Sequence, residues 1–180
     1  ETFEFEEIAP KAPEKEDSEI DAEGFKKAWT ELKDTHDFFM MTRKFGVSRT
    51  QALRLAPEGY AKKIDTSKVV NVLEDASEKN LPIMIFVGNR GIIQIHTGEV
   101  KKTMWHQQWF NVMDPDFNLH LDVTKIAEAW IVKKPTEDGE VTAIEVFNKE
   151  GDFIVQFFGK RKPGIPELQA WKDLVADLEK

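Results

Sequence analysis

The stretch Ile83-Met84-Ile85-Phe86-Val87-Gly88-Asn89-Arg90-Gly91-Ile92-Ile93-Gln94-Ile95-His96-Thr97 decides the fold. Ile83–Val87 is a continuous apolar run of strand length. Gly88-Asn89-Arg90-Gly91 is turn chemistry, and Ile92–Thr97 resumes an extended pattern, so the whole reads as a β-hairpin. Downstream the period stays at two. Further strands are expected at Glu99–Met104, Trp109–Val112, Asn118–Leu121, Ala127–Val132, Val141–Phe147 and Phe153–Phe158, with Asp138-Gly139 and Glu150-Gly151 as hairpin turns between the last three. Strands joined by such short turns pair antiparallel, because a parallel pair needs a long crossover.

On both sides of this block the period becomes helical. Asp21 caps a helix whose apolar residues are Phe25, Ala28, Trp29 and Leu32. Asp34-Thr35-His36 interrupts it, and Phe38, Met41 and Phe45 then recur on one face until Gly46. Ser48 caps a short helix, Arg49–Leu55, which Pro57-Glu58-Gly59 ends. A short strand is expected at Ala61–Ile64 and a helix at Ser67–Lys79. After Pro163-Gly164-Ile165-Pro166, the residues Leu168, Trp171, Leu174, Val175 and Leu178 form a last helical stripe. The expected fold class is α+β: N-terminal helices, a large antiparallel β-sheet and a closing C-terminal helix.

Composition narrows the function classes. The 180 residues suit one domain, and 41% hydrophobic residues suffice for a core. There is no cysteine, which excludes disulfides, thiolate zinc sites, iron–sulfur clusters and thiol catalysis. No apolar stretch approaches the roughly 20 residues of a membrane span. Residues 1–23 hold ten acids and two lysines, so all of the net charge of −8 lies there and the rest of the chain is neutral. With Pro10 and Pro13, residues 1–21 read as an acidic linker or arm. The absence of an initiating Met suggests a processed product or a fragment. A neutral body gives no basis for binding nucleic acid phosphates.

Nucleotide-binding, nucleophile-elbow and zincin motifs are absent. Asp114-Pro115-Asp116 reads as turn chemistry. Of the four histidines, His96 and His120 lie on alternating strands and His106 beside Trp105 in a loop, and each reads as a structural or surface group. His36 differs, because Trp29, Leu32, Phe38, Phe39, Met40 and Met41 flank it. Two readings stay open on the residues alone: a buried imidazole with a satisfied hydrogen bond, or a single axial ligand to a haem iron. Haem also needs an apolar pocket, which Phe38 and its neighbours offer, and cations for its propionates, which Arg43, Lys44, Arg49 and Arg54 offer. Lys133-Lys134 and Lys160-Arg161-Lys162 are further basic clusters, for which solvated strand ends are the commoner reading.

Ordered blocks across residues 22–178 resemble the cytoplasmic hemin-utilisation proteins of the HemS/ChuS/HmuS/PhuS family. They include Asp34-Thr35-His36-Asp37-Phe38-Phe39, Arg49-Thr50-Gln51-Ala52-Leu53, Gln94-Ile95-His96-Thr97-Gly98, Asp114-Pro115-Asp116-Phe117-Asn118-Leu119-His120-Leu121, Ala127-Glu128-Ala129-Trp130 and Phe158-Gly159-Lys160-Arg161-Lys162-Pro163-Gly164. The resemblance is to the second of the family's two similar halves. It implies a HemS-like haem-binding domain at residues 22–180, with His36 as axial ligand. It also implies that Arg49, Lys134, Gln156 and Phe158 line the pocket, the last in place of a Tyr found in some relatives. The ligand is then haem. The implied partners are the missing first half or a second copy, and a haem oxygenase or an inner-membrane haem importer. Three functional readings follow: haem trafficking or iron release, haem degradation with an external reductant, and a non-haem interaction module with His36 in its core.

Overall fold

The computed structural model describes residues 13–89, 91–162 and 164–180. Arg90, within the expected hairpin turn, and Pro163, before the last helix, lie outside the described residues, as does the first part of the acidic arm. Three short helices come first: α1 (Ala22–Thr30), α2 (Asp37–Phe45) and α3 (Arg49–Arg54). Asp21 caps α1 by accepting from Gly24 N, Ser48 caps α3 by accepting from Gln51 N, and Gly46, at φ 65°, ends α2. Strand β1 (Ala61–Ile64) and helix α4 (Lys68–Glu78) follow.

Strands β2 (Ile83–Gly88), β3 (Ile93–Gly98), β4 (Thr103–His106), β5 (Trp109–Met113), β6 (Asn118–Asp122), β7 (Glu128–Thr136), β8 (Gly139–Phe147) and β9 (Phe153–Gly159) come next, and α5 (Gln169–Leu178) closes the chain. All pairings are antiparallel, as the short turns require. The strands divide into a six-stranded sheet, ordered β1-β7-β8-β9-β2-β3, and a three-stranded sheet, β4-β5-β6.

The division corrects one expected strand. Glu99–Met104 does not form, because the buried carboxylate of Asp114 takes the N–H groups of Lys101 and Lys102, at 3.0 and 2.8 Å, and bends the chain there. The strand starts instead at Thr103 and runs through His106, which is therefore not in a loop. Asp114 also closes the expected turn, its N–H donating to Phe117 O at 3.0 Å.

The register puts Ile131, Ile144, Phe157 and Ile85 on one face of the large sheet. Helices α4 and α5 cover that face, and the inner side of the small sheet (Phe110, Val112, Leu121) joins the same core. Trp171 packs so closely on Gly159 that a Cβ there would stand 2.6 Å from its Cγ, and its Nε1 donates to Thr142 O at 3.0 Å. The opposite face is covered only in part. Phe25, Trp29, Phe38 and Met41 pack on Trp130, Val132 and Phe147, and Trp29 Nε1 donates to Lys133 O at 2.9 Å. The arm returns to this side: Gln51 Nε2 donates to Lys15 O and Asp17 Oδ1, both at 2.8 Å, and Ile20 is buried.

Candidate functional site

Beyond the helices, the same sheet face continues across β9, β2 and β3 without a cover among the described residues. The register aligns Glu145, Gln156, Phe86 and Ile95 across four strands, and Ala143, Phe158, Met84 and Thr97 in the next row. Ile93 is 63% exposed and Ile95 is also exposed, which costs apolar contact unless something covers them. Phe86, Gly88, Asn89, Ile93, Asp152, Phe153 and Gln156 line a cleft of about 570 Å³ there. Phe158 packs edge-on against Phe86 at 5.1 Å.

A charged cluster forms the wall between cleft and helices. Glu145 is fully buried in the apolar run of β8. Arg49, at the start of α3, meets it with a two-pronged contact, Nε to Oε2 at 2.9 Å and Nη2 to Oε1. Lys134 Nζ donates to the same Oε1 at 2.9 Å. The ring of Phe38 lies under both cations, 4.1 Å from Arg49 Cζ and 4.9 Å from Lys134 Nζ. Arg49 Cζ also stands 5.3 Å from the ring of Phe153, so the cluster reaches the cleft lining.

Two cations on one carboxylate leave a surplus of positive charge. The carboxyl of Glu145 is lowered to about 2: burial opposes ionisation, but Arg49 and Lys134 outweigh it. Lys134 is lowered to about 8, first by burial and then by repulsion from Arg49, against the pull of Glu145.

His36 begins α2, two residues before Phe38. Its side chain is 94% exposed, so the buried-imidazole reading does not hold. Asp34 Oδ1 accepts from the backbone N–H of His36 at 2.7 Å and lies 2.5 Å from its ring Nδ1. These contacts hold the carboxyl of Asp34 below its usual range, so it is an acceptor and Nδ1 carries the proton. In the neutral ring the lone pair then falls on Nε2. Metal-binding histidines are commonly oriented in this way by a carboxylate on the second nitrogen.

The structure thus brings Phe38, Arg49 and Lys134 into one cluster, with Gln156 beside Glu145 and Phe158 against Phe86. Arg43 is not part of it among the described residues: it is exposed on α2, its guanidinium 5.7 Å from the exposed ring of Phe39. Lys134 is not a solvated strand end but a buried group, and Arg161 is three-quarters or more buried, 3.7 Å from Asp138. Sequence reading passed over Glu145. Its signal was a lone acid in the run Val141–Phe147, a position that demands buried cations.

An α+β domain with one sheet face half open among the described residues and edged by a buried cation cluster, with an oriented, exposed imidazole two residues before Phe38 of that cluster, has the features of a ligand-binding module. The chain belongs to the family described as the haemin-degrading HemS.ChuX domain, whose model matches residues 46–178. It is 42% identical over 166 residues to the hemin transport protein HemS of Yersinia enterocolitica, covering 92% of this chain and 47% of that one. The structure of holo-PhuS, a heme-binding protein from Pseudomonas aeruginosa, superposes with a TM-score of 0.95 at 47% identity, covering 98% of this chain and 51% of PhuS. That of ChuS, described as an E. coli heme oxygenase, gives 0.87 at 36% identity, covering 99% and 54%. The chain spans about half the length of these relatives. No helix among the described residues is long and apolar enough to cross a membrane.

Proposed function

We propose that this chain is the haem-binding domain of a cytoplasmic protein of bacterial hemin uptake and utilisation, holding haem through His36 for trafficking or for release of its iron. The observation that carries the reading is the Asp34–His36 pair, at the head of the helix whose Phe38 seats the cation cluster beside an uncovered apolar cleft. The residues fit the ligand's three needs. Nε2 of His36 is the exposed nitrogen that offers a lone pair to iron when the ring is neutral. Phe86, Ile93, Phe153 and Phe158 supply an apolar wall. Arg49 and Lys134 share one carboxylate and keep positive charge for a propionate.

Each residue then has a physical task. Asp34 fixes the tautomer and direction of His36. Glu145 holds Arg49 and Lys134 in place without neutralising both. The apolar rows of β9, β2 and β3 displace water from the macrocycle face. Bound haem supplies the iron redox chemistry, on which the relatives' oxygenase description depends. The remaining half of a full-length relative, or a second copy, is the proposed cover for the exposed Ile93 and Ile95.

A hemin titration followed by visible absorbance tests the reading. The chain should give a saturable, sharpened Soret band at a tight equivalent, and His36→Ala should lose or shift that band. An unchanged band in the variant would overturn His36 as ligand, and featureless spectra from both would overturn the haem reading. ChuS favours a second reading, degradation with an external reductant. Biliverdin-like or other tetrapyrrole products would support it, and clean transfer to a haem oxygenase or exchange with an importer would support trafficking.

A further inference from the structure

The outer face of the small sheet carries chemistry that the cleft does not use. Register sets Met104 opposite Asn111 and Asn111 opposite His120, with His106, Trp109 and Asp122 in the row on one side and Met113 in the row on the other. The other face of these strands is core, whereas Met104, Trp109 and Met113 are exposed. Met104, His106, Trp109, Asn111, Met113 and His120 line a groove of about 460 Å³.

Asn111 decides what His120 offers. Asn111 is only 7% exposed. Its Nδ2 donates to the carbonyls of Met104 at 3.3 Å and Trp109 at 3.0 Å, two acceptors that only the amide nitrogen can serve. The atom facing His120 Nδ1 at 2.7 Å is therefore the amide oxygen. An oxygen accepts, so Nδ1 carries the proton and the neutral ring keeps its lone pair on Nε2, which has no partner among the described residues. This repeats the Asp34–His36 arrangement on a second imidazole, with an amide in place of the carboxylate.

Spacing decides the ligand class. The backbones of Met104 and His120 are two strand intervals apart, about 9.5 Å, a span that a flat ligand lying across the sheet covers. No three His, Asp or Glu residues converge on an ion among the described residues. A flat apolar ligand with one open metal position instead meets one imidazole, two thioethers and an indole on a single face. We propose that this groove is a second, exposed haem site, with His120 Nε2 as iron ligand and Met104, Trp109 and Met113 as its apolar bed. The proposal rests on the haem reading above. An open site without a buried cation binds more weakly and exchanges faster than the cleft, which suits it to haem entering or leaving the protein.

Hemin titrations of the chain, His36→Ala, His120→Ala and the double variant test it. His120 is exposed, so its replacement spares the core. The expected result is a second equivalent that survives in His36→Ala and is weakened roughly tenfold or more by His120→Ala, with the tight equivalent unchanged. One equivalent in the chain and none in His36→Ala would overturn the second site and leave the His36 reading intact. A second equivalent that persists in the double variant would also overturn it, marking adsorption to apolar surface. One equivalent lost with His120→Ala but not with His36→Ala would uphold this site and overturn the other.

Discussion

Asp34 holds His36 twice through one oxygen, accepting from its backbone N–H at 2.7 Å and from its ring Nδ1 at 2.5 Å. The double contact fixes both where the helix starts and which ring nitrogen is left open. Asp34→Ala is therefore expected to weaken hemin binding about 10–100-fold, the usual cost of removing a ligand's orienting partner. Asp34→Asn, which keeps an oxygen acceptor, should recover most of it. Equilibrium titration of the three proteins checks this, and equal affinity in all three would remove Asp34 from the site.

Lys134 gives the cleft a pH dependence. Its folded value of about 8 lies below the ordinary 10.5. Protonated, it adds to Arg49 and leaves the cluster positive; neutral, it leaves Arg49 and Glu145 balanced. Affinity for an anionic propionate should fall as pH rises through about 8, and Lys134→Met should flatten that step. For stability the sign is opposite. Between pH 8 and 10.5 the unfolded chain binds the extra proton, so the Lys134 contribution to stability rises with pH across that window.

Glu145 is the structural counterpart. Glu145→Gln leaves two buried cations without their carboxylate and should cost about 3–5 kcal/mol of stability, read as a lowered denaturation midpoint. In the native chain, the folded value near 2 lies below the ordinary 4.5, so the contribution is complete above pH 4.5 and is lost as pH falls towards 2. Acid unfolding of Glu145→Gln should be correspondingly less steep over that range.

Phe158 lies on the open sheet face, packed edge-on against Phe86, and brings no polar atom to it. Phe158→Tyr adds a hydroxyl on that face and is expected to strengthen hemin binding by about 0.5–1.5 kcal/mol, the worth of one net hydrogen bond. A loss of affinity would mean that the ring edge is packed by apolar atoms of the ligand.

Much of the scaffold was readable before folding. Asp21 and Ser48 are caps because a side-chain oxygen can satisfy an orphan helix N–H, and both act so. The strands of the hairpin at Ile83 and their antiparallel order follow from alternation and short turns. The family resemblance was legible from ordered blocks such as those around His36 and Arg49. Two things were not. Asp114 reaches back across the chain to stop a strand at Lys101, an interaction between residues that periodicity does not link. His120 reads as a surface group and is exposed, but its amide partner stands on the adjacent strand, which the residues of its own strand do not announce.

Local physics, propensity, capping and alternation therefore determined the elements and their antiparallel order. Register and layer packing decided the rest. They left one half-sheet uncovered, placed Arg49 and Lys134 on a single carboxylate, and turned the open nitrogens of His36 and His120 outward. Those outcomes depend on long-range pairings such as Arg49–Glu145, 96 positions apart. Side chains so distant in sequence acquire a common environment only when the sheet has closed and the helices have settled on it.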